Sequence, residues 1–272
     1  QVNKPKWMFM QYFIPTKIIK LLLLTSFSFV LTLSPNALAD KLNYQLAHIN
    51  KNIDVDGVLN EPHWQQATRV AVNYQDEPNE KGTPPVKTDA YIYDDGHNLY
   101  VAFVAYDTDP SKIRAALRDR DTLWQDDNVG LVIDTFNDER TGYEFYVNPL
   151  GAQGDIRMTD TDEWVSDLSW DAIWDSAGTI NEQGYVVEMR IPFKALRFAQ
   201  NQADSTWGFS MMRNYQRDVL YQLSSTGFDR DIKCSLCQFD KITGFNNLAP
   251  SKNLQLTPTL TALRNDQKTQ VP

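Results

Sequence analysis

The side chains of this sequence that could do chemistry are its clustered carboxylates, one cysteine pair and its tryptophans. Acidic groups stand together at Asp94-Asp95, Asp126-Asp127 and Asp160–Glu163. Such groups suit calcium, a hard cation that takes several oxygen ligands. They could also serve as the acid and base of a hydrolase, which needs two carboxyls about 5–10 Å apart; no spacing here forces that separation. Asn52-x-Asp54-x-Asp56-Gly57 imitates the start of an EF-hand loop, but the twelfth position, where a bidentate carboxylate belongs, is His63. A strand entering a tight turn at Gly57 is expected there instead. Cys234-x-x-Cys237 offers half the ligands of a structural zinc site and has no thioredoxin-like setting. In an oxidising compartment it is expected to close a local disulfide, over a ring too short to stabilise much. No Gly-x-Ser-x-Gly elbow, phosphate loop or His-Glu-x-x-His stretch is present.

The elements that must carry these groups are strands. Short alternating runs recur between turn residues: Val86–Tyr93 and Leu99–Asp107 about the turn Asp94–Asn98, then Asn128–Asp134 and Tyr143–Asn148. Further strands are expected at Ile173–Ala177, Tyr185–Ile191 and Trp207–Arg213, and only Pro110–Arg118 and Pro192–Leu196 look helical. Many strands with few helices describe an all-β chain folded as a β-sandwich. Trp64 is expected in its core, and so are Trp170 and Trp174, which would share one face of a strand. Trp164 falls in an acidic, solvated turn.

Composition sets the partners. With 26 Lys and Arg against 35 Asp and Glu, the net charge of −9 disfavours nucleic acid, which needs a basic surface. At 42% hydrophobic and 12% aromatic, 272 residues can bury a real core. Residues 1–39 have the pattern of a secretory signal: Lys17 and Lys20, the apolar run Leu21–Leu33, then Ala37-Leu38-Ala39 as a cleavage site. Its loss would leave 22 basic against 35 acidic residues, an exported acidic chain for which a neutral polymer is a better partner than a polyanion. The sandwich is assigned to residues 40–249. In 250–272, the alternation of Leu254, Leu256, Leu260 and Ala262 with Gln255, Thr257, Thr259 and Thr261 has the length of a transmembrane β-strand, and the pattern alone fits equally the first strand of a C-terminal barrel or one more strand of the sandwich.

A family resemblance rests on five stretches. Ile53-Asp54-Val55-Asp56-Gly57-Val58-Leu59-Asn60-Glu61-Pro62-His63-Trp64, with Ala67 following, resembles the opening signature of family 9 carbohydrate-binding modules. The likeness continues through Leu99–Phe103, Trp124–Asp134 and Gly184–Phe193, and at Trp207-Gly208-Phe209. It implies an immunoglobulin-like, DOMON-like sandwich that binds polysaccharide or oligosaccharide without catalysis, in the service of carbohydrate catabolism, often with structural calcium. It also implies a bacterial cell-envelope setting, periplasm or outer membrane, ahead of an outer-membrane β-barrel, which the sandwich would alternatively plug or gate without binding glycan. A sugar ring is a patch of C–H groups that an aromatic face matches, with polar groups needed at its rim. On that basis Trp124 is the expected stacking residue, Asp127 a hydroxyl partner and Phe228 the ring replacing the family's second tryptophan, while Asp126 and Asp134 are the candidate calcium ligands. Two further positions depart from the family: Gly130 stands where binders carry an acid, and Tyr146 where they carry an arginine.

Overall fold

The computed structural model describes residues 41–161, 164–199 and 205–245, together with 248 and 261. The signal-like segment 1–39 and the alternating run 254–262 lie outside the described residues, apart from Thr261.

Fifteen strands occur among the described residues. They are β1 (Asn43–Gln45), β2 (Ala47–His48), β3 (Thr68–Ala71), β4 (Tyr74–Glu77), β5 (Thr88–Asp94), β6 (Asn98–Tyr106), β7 (Asn128–Asp134) and β8 (Thr141–Val147). The remainder are β9 (Gln153–Asp160), β10 (Trp164–Asp167), β11 (Asp175–Asn181), β12 (Gly184–Pro192), β13 (Ser205–Gln216), β14 (Leu220–Ser224) and β15 (Asp240–Phe245). One sheet runs β1-β15-β13-β7-β8-β9-β10, with β14 on β13 and β4 on β14. The other runs β11-β12-β6-β5-β2, with β3 also on β5.

Period-2 alternation decides how the sheets meet. Val129, Leu131 and Ile133 of β7 and Trp207, Phe209 and Met211 of β13 face Val101, Phe103, Val187 and Met189 of the second sheet in one buried cluster. Each large apolar side chain in that layer contributes on the order of 2 kcal/mol. The fold is thus the all-β sandwich the sequence implies. Trp170 and Trp174 enter this layer edge-on to Phe145, at 6.0 and 5.2 Å between ring centres, from an irregular segment before β11 and not from a strand.

Both outer faces are covered by loops. On the second sheet, residues 49–67 fold over Tyr93, Tyr100 and Ala102, with Ile53 and the buried Trp64 inserted beneath them. Gly57 turns this segment at φ +81°, and the Asp56 carboxylate accepts from the Val58 N–H at 2.8 Å, so the EF-hand-like string forms a tight turn. On the first sheet, Leu123, Leu236 and Phe239 pack onto Val132, Tyr146 and Met158.

Pro110–Arg118 is not the helix its composition suggests. A 3-10 turn over Pro110–Lys112 is all that forms. Beyond it the Arg114 and Ala116 N–H groups donate to Asp127 and Asp126, at 2.7 and 3.3 Å, in place of carbonyls within a helix. Side-chain acceptors have captured the donors a helix would need.

Candidate functional site

The irregular segment 114–127 and the end of β13 enclose a cleft of about 450 Å³ lined by Arg114, Ala115, Ala116, Arg118, Trp124, Gln125, Asp126 and Gln216. Trp124 is half-buried in its wall. Its Nε1–H donates to the Asp121 carbonyl at 2.7 Å, and its ring stands edge-on to Tyr146 at 5.6 Å. The tip of the indole lies over Gly154, where an added Cβ would come within 3.1 Å of it. The indole is therefore held at its polar edge and at its tip. Gln216 Nε2 donates to the Trp124 carbonyl at 3.3 Å and ties the segment to β13.

Phe228 belongs to the same outer cluster as Trp124, half-buried and 6.0 Å from the Phe239 ring, with Met212 also at its fringe. Trp124 and Phe228 are thus brought to one face of the first sheet. Asp127 lies beneath the cleft with no exposed surface. Both its oxygens are occupied: by the Arg114 N–H at 2.7 Å, by the Gln216 N–H at 3.2 Å, and by Arg217 Nη1 at 2.9 and 3.1 Å. The hydroxyl-binding role expected of Asp127 gives way to a structural one, because its carboxylate is committed to ordering the cleft's floor. Burial pushes its carboxyl above the ordinary value against the pull of these donors.

Asp126 is similarly committed. Arg118 grips it with Nε at 3.1 Å and Nη2 at 2.9 Å, and Asn148 donates at 2.9 Å. Burial raises its carboxyl, but the Arg118, Asn148 and Ala116 hydrogen bonds outweigh that and hold it below the usual range. Asp134 accepts from the Phe136 and Glu139 N–H groups at 3.2 and 2.9 Å in the turn after β7. Strand β7 separates Asp126 from Asp134 by roughly 20 Å at its rise per residue, so these two do not fit one calcium ion. Among the described residues, Asp121, Asp155 and Asp171 do bring three carboxylates within 4.8 Å of one another. A cation is already there: Arg120 Nε lies 2.6 Å from Asp155 and 3.4 Å from Asp171.

The cysteine pair also departs from expectation. Cys234 and Cys237 are free thiols. The Cys237 N–H donates to Cys234 Sγ, and Cys237 Sγ donates to the Cys234 carbonyl, each at 3.1 Å. This turn gives the sulfurs backbone partners in place of a disulfide.

Below the cleft runs a charge network the strand pattern conceals. Arg213 takes the inward phase of β13 after Trp207, Phe209 and Met211, and is fully buried. Its guanidinium sits 5.3 and 5.1 Å from the Tyr185 and Tyr215 rings, and Nη1 donates to the Tyr106 carbonyl and Thr88 Oγ1, both at 2.9 Å. Asp107 lies between Arg213 and Arg217, and Arg217 connects it to Asp127. A charged residue in the apolar phase of a strand is the sequence signal for this network.

A two-sheet sandwich with a pinned, half-buried indole beside an open polar cleft defines a ligand-binding module. Residues 55–225 match the carbohydrate family 9 binding domain-like family, and the chain belongs to it. A structure from Bacteroides uniformis ATCC 8492, of a protein proposed to bind carbohydrate, superposes with a TM-score of 0.58 at 12% identity, over 75% of this chain and 99% of that one. A family 9 carbohydrate-binding module from Caldicellulosiruptor kristjanssonii, solved with cellotriose, gives a TM-score of 0.52 at 15% identity over 80% of this chain and all of that one. The same module solved with glucose gives 0.52 at 15% identity, over 79% and 100%. No curated protein matches.

Proposed function

We infer that this sandwich binds a saccharide non-catalytically at the Trp124 cleft. The observation that carries the reading is the indole itself: fixed through Nε1 to Asp121 and at its tip over Gly154, it is ready to meet a sugar ring without losing rotamer freedom on binding. Gln125 and Gln216 stand at the rim as amides able to serve hydroxyls. Family membership and the cellotriose and glucose complexes of a structural neighbour support the ligand class. A hydrolytic role has little support, because Asp126 and Asp127 are tied to Arg118 and Arg217. The signal-like residues 17–39 and the alternation at 254–262 further support an exported, envelope-bound protein tethered to an outer-membrane barrel.

The test is calorimetric titration with a panel of neutral and acidic oligosaccharides. At least one is expected to bind, and Trp124→Ala is expected to weaken it by about tenfold or more, the ~1–2 kcal/mol of a lost stacking face. A silent panel, or an unchanged affinity in a folded Trp124→Ala variant, would remove the assignment. Fractionation of cells expressing the protein would test the envelope setting, and a cytosolic product would sink it.

A further inference from the structure

Charge in the cleft runs against charge in the chain. The protein carries −9 overall, yet this cleft is lined by two arginines and one aspartate. The aspartate is spent: Asp126 is gripped by Arg118 through two hydrogen bonds and also accepts from Asn148 and Ala116. Arg114 is the remaining cation. It is exposed, no carboxylate pairs with it among the described residues, and its one side-chain hydrogen bond runs from Nη2 to the Arg217 carbonyl at 3.0 Å. Its backbone is anchored, since its N–H donates to the buried Asp127 and its carbonyl accepts from the Asp127 N–H at 2.8 Å. A guanidinium on a fixed backbone, with most of its donors unspent, stands in the same cleft as a pinned indole.

Resting on the saccharide reading above, we propose that the ligand of this cleft is an acidic sugar: a glycan bearing an isolated anionic group, with Trp124 taking a ring face and Arg114 taking the anion. The guanidinium fork presents paired donors that match the two oxygens of a uronate carboxylate. The surrounding acidity restricts the spacing of that charge. A densely charged polyanion would be repelled by the net negative charge of the rest of the chain, whereas a single acid on an otherwise neutral chain meets only the local positive wall. A sulfate ester shares the anion chemistry, and the experiment separates the two.

The probes are xylotetraose, the same oligosaccharide with one glucuronic acid branch, its sulfated counterpart, and a fully charged oligogalacturonate. They are titrated calorimetrically into the intact protein and into Arg114→Gln and Trp124→Ala variants, whose melting is checked first. The branched acid is expected to bind about tenfold or more tightly than the neutral oligosaccharide at low salt. Arg114→Gln is expected to collapse that ratio toward one, and added salt to shrink it as screening shortens the reach of the charge. A ratio higher for the sulfated probe assigns the anion to sulfate instead of carboxylate. Equal affinity for neutral and acidic probes, or a ratio that survives Arg114→Gln, overturns the acidic preference while leaving saccharide binding intact. Silence toward every probe overturns both, and binding that survives Trp124→Ala overturns the cleft itself.

Discussion

At the scale of single residues, Gly130 and Tyr146 share one space. A Cβ at Gly130 would lie 2.3 Å from Tyr146 Cδ1 and 2.5 Å from Cε1, so the tyrosine ring fills the space that a side chain at position 130 would need. Register makes this inevitable, because Gly130 and Tyr146 are directly paired between β7 and β8. The space above Gly130 on one strand is filled from its neighbour, and the same ring supports Trp124 edge-on. Gly130→Ala should therefore destabilise the sandwich by about 2 kcal/mol, the range for overpacking a filled site. Tyr146→Ala in the same chain should relieve that cost, giving a coupling of about 1 kcal/mol or more in a double-mutant cycle of denaturant midpoints. Strict additivity would show that the two positions do not share the space. The sequence showed both residues but not their relation, which depends on a cross-strand pairing that no local pattern states.

Whole elements were readable where alternation is long and uninterrupted. β7 falls on the residues expected of it, and β5, β6, β8, β12 and β13 fall within a few residues of their expected ends. β1, β2, β4 and β14 are two to five residues long and are defined by what they pair with, so their own composition says little. β9 is obscured by the buried Asp155 and Asp160, whose partners Arg120 and the Ser235 and Leu236 N–H groups come from distant loops. The site shows the same division: Trp124 and Phe228 were legible as rings in loops, whereas the burial of Asp127 follows from an arginine 90 residues away. A further element-scale consequence concerns the cover of the second sheet. Glu188 of β12 has no exposed surface, and it accepts from the Asp56 and Gly57 N–H groups and from Trp64 Nε1 at 3.1, 2.9 and 3.1 Å. One carboxylate thus fastens the turn and the tryptophan of the whole 49–67 segment. Glu188→Ala leaves these donors to find water or remain unpaired, at a cost of about 3 kcal/mol. Hydrogen exchange should accelerate across residues 53–64 well before the strands respond; uniform acceleration over both sheets would mean that Glu188 supports the fold generally and does not fasten this cover in particular.

Over the whole molecule, the buried acids set how stability follows pH. Burial raises the Glu144 carboxyl to about 7, against a hydrogen bond with Tyr146, and leaves Glu144 Oε1 without a partner. Burial likewise raises Glu188 to about 7 and Asp76 to about 6, in both cases against hydrogen bonds that favour the ion. Each group binds its proton more tightly folded than unfolded, so between the ordinary carboxyl value and about 7 the native state holds more protons. Stability must then fall as pH rises through that window. Asp95 and Asp126 act oppositely: burial pushes both up, but hydrogen bonds win and hold both below the ordinary value. Their stabilisation is present above the unfolded carboxyl value and is lost only as acid protonates them below it. Self-repulsion of the −9 chain also eases toward its pI of about 4.8, in the same direction as the raised acids. Denaturant unfolding should therefore give greatest stability near pH 5, with a decline toward pH 8 to which Glu144 alone contributes on the order of 3 kcal/mol. Glu144→Gln, which keeps the shape and removes the charge, should raise stability at pH 8 and flatten the decline. A stability profile that climbs from pH 5 to pH 8, or a Glu144→Gln profile parallel to that of the parent, would show that the carboxyl under the first sheet's cover is not protonated in the folded protein.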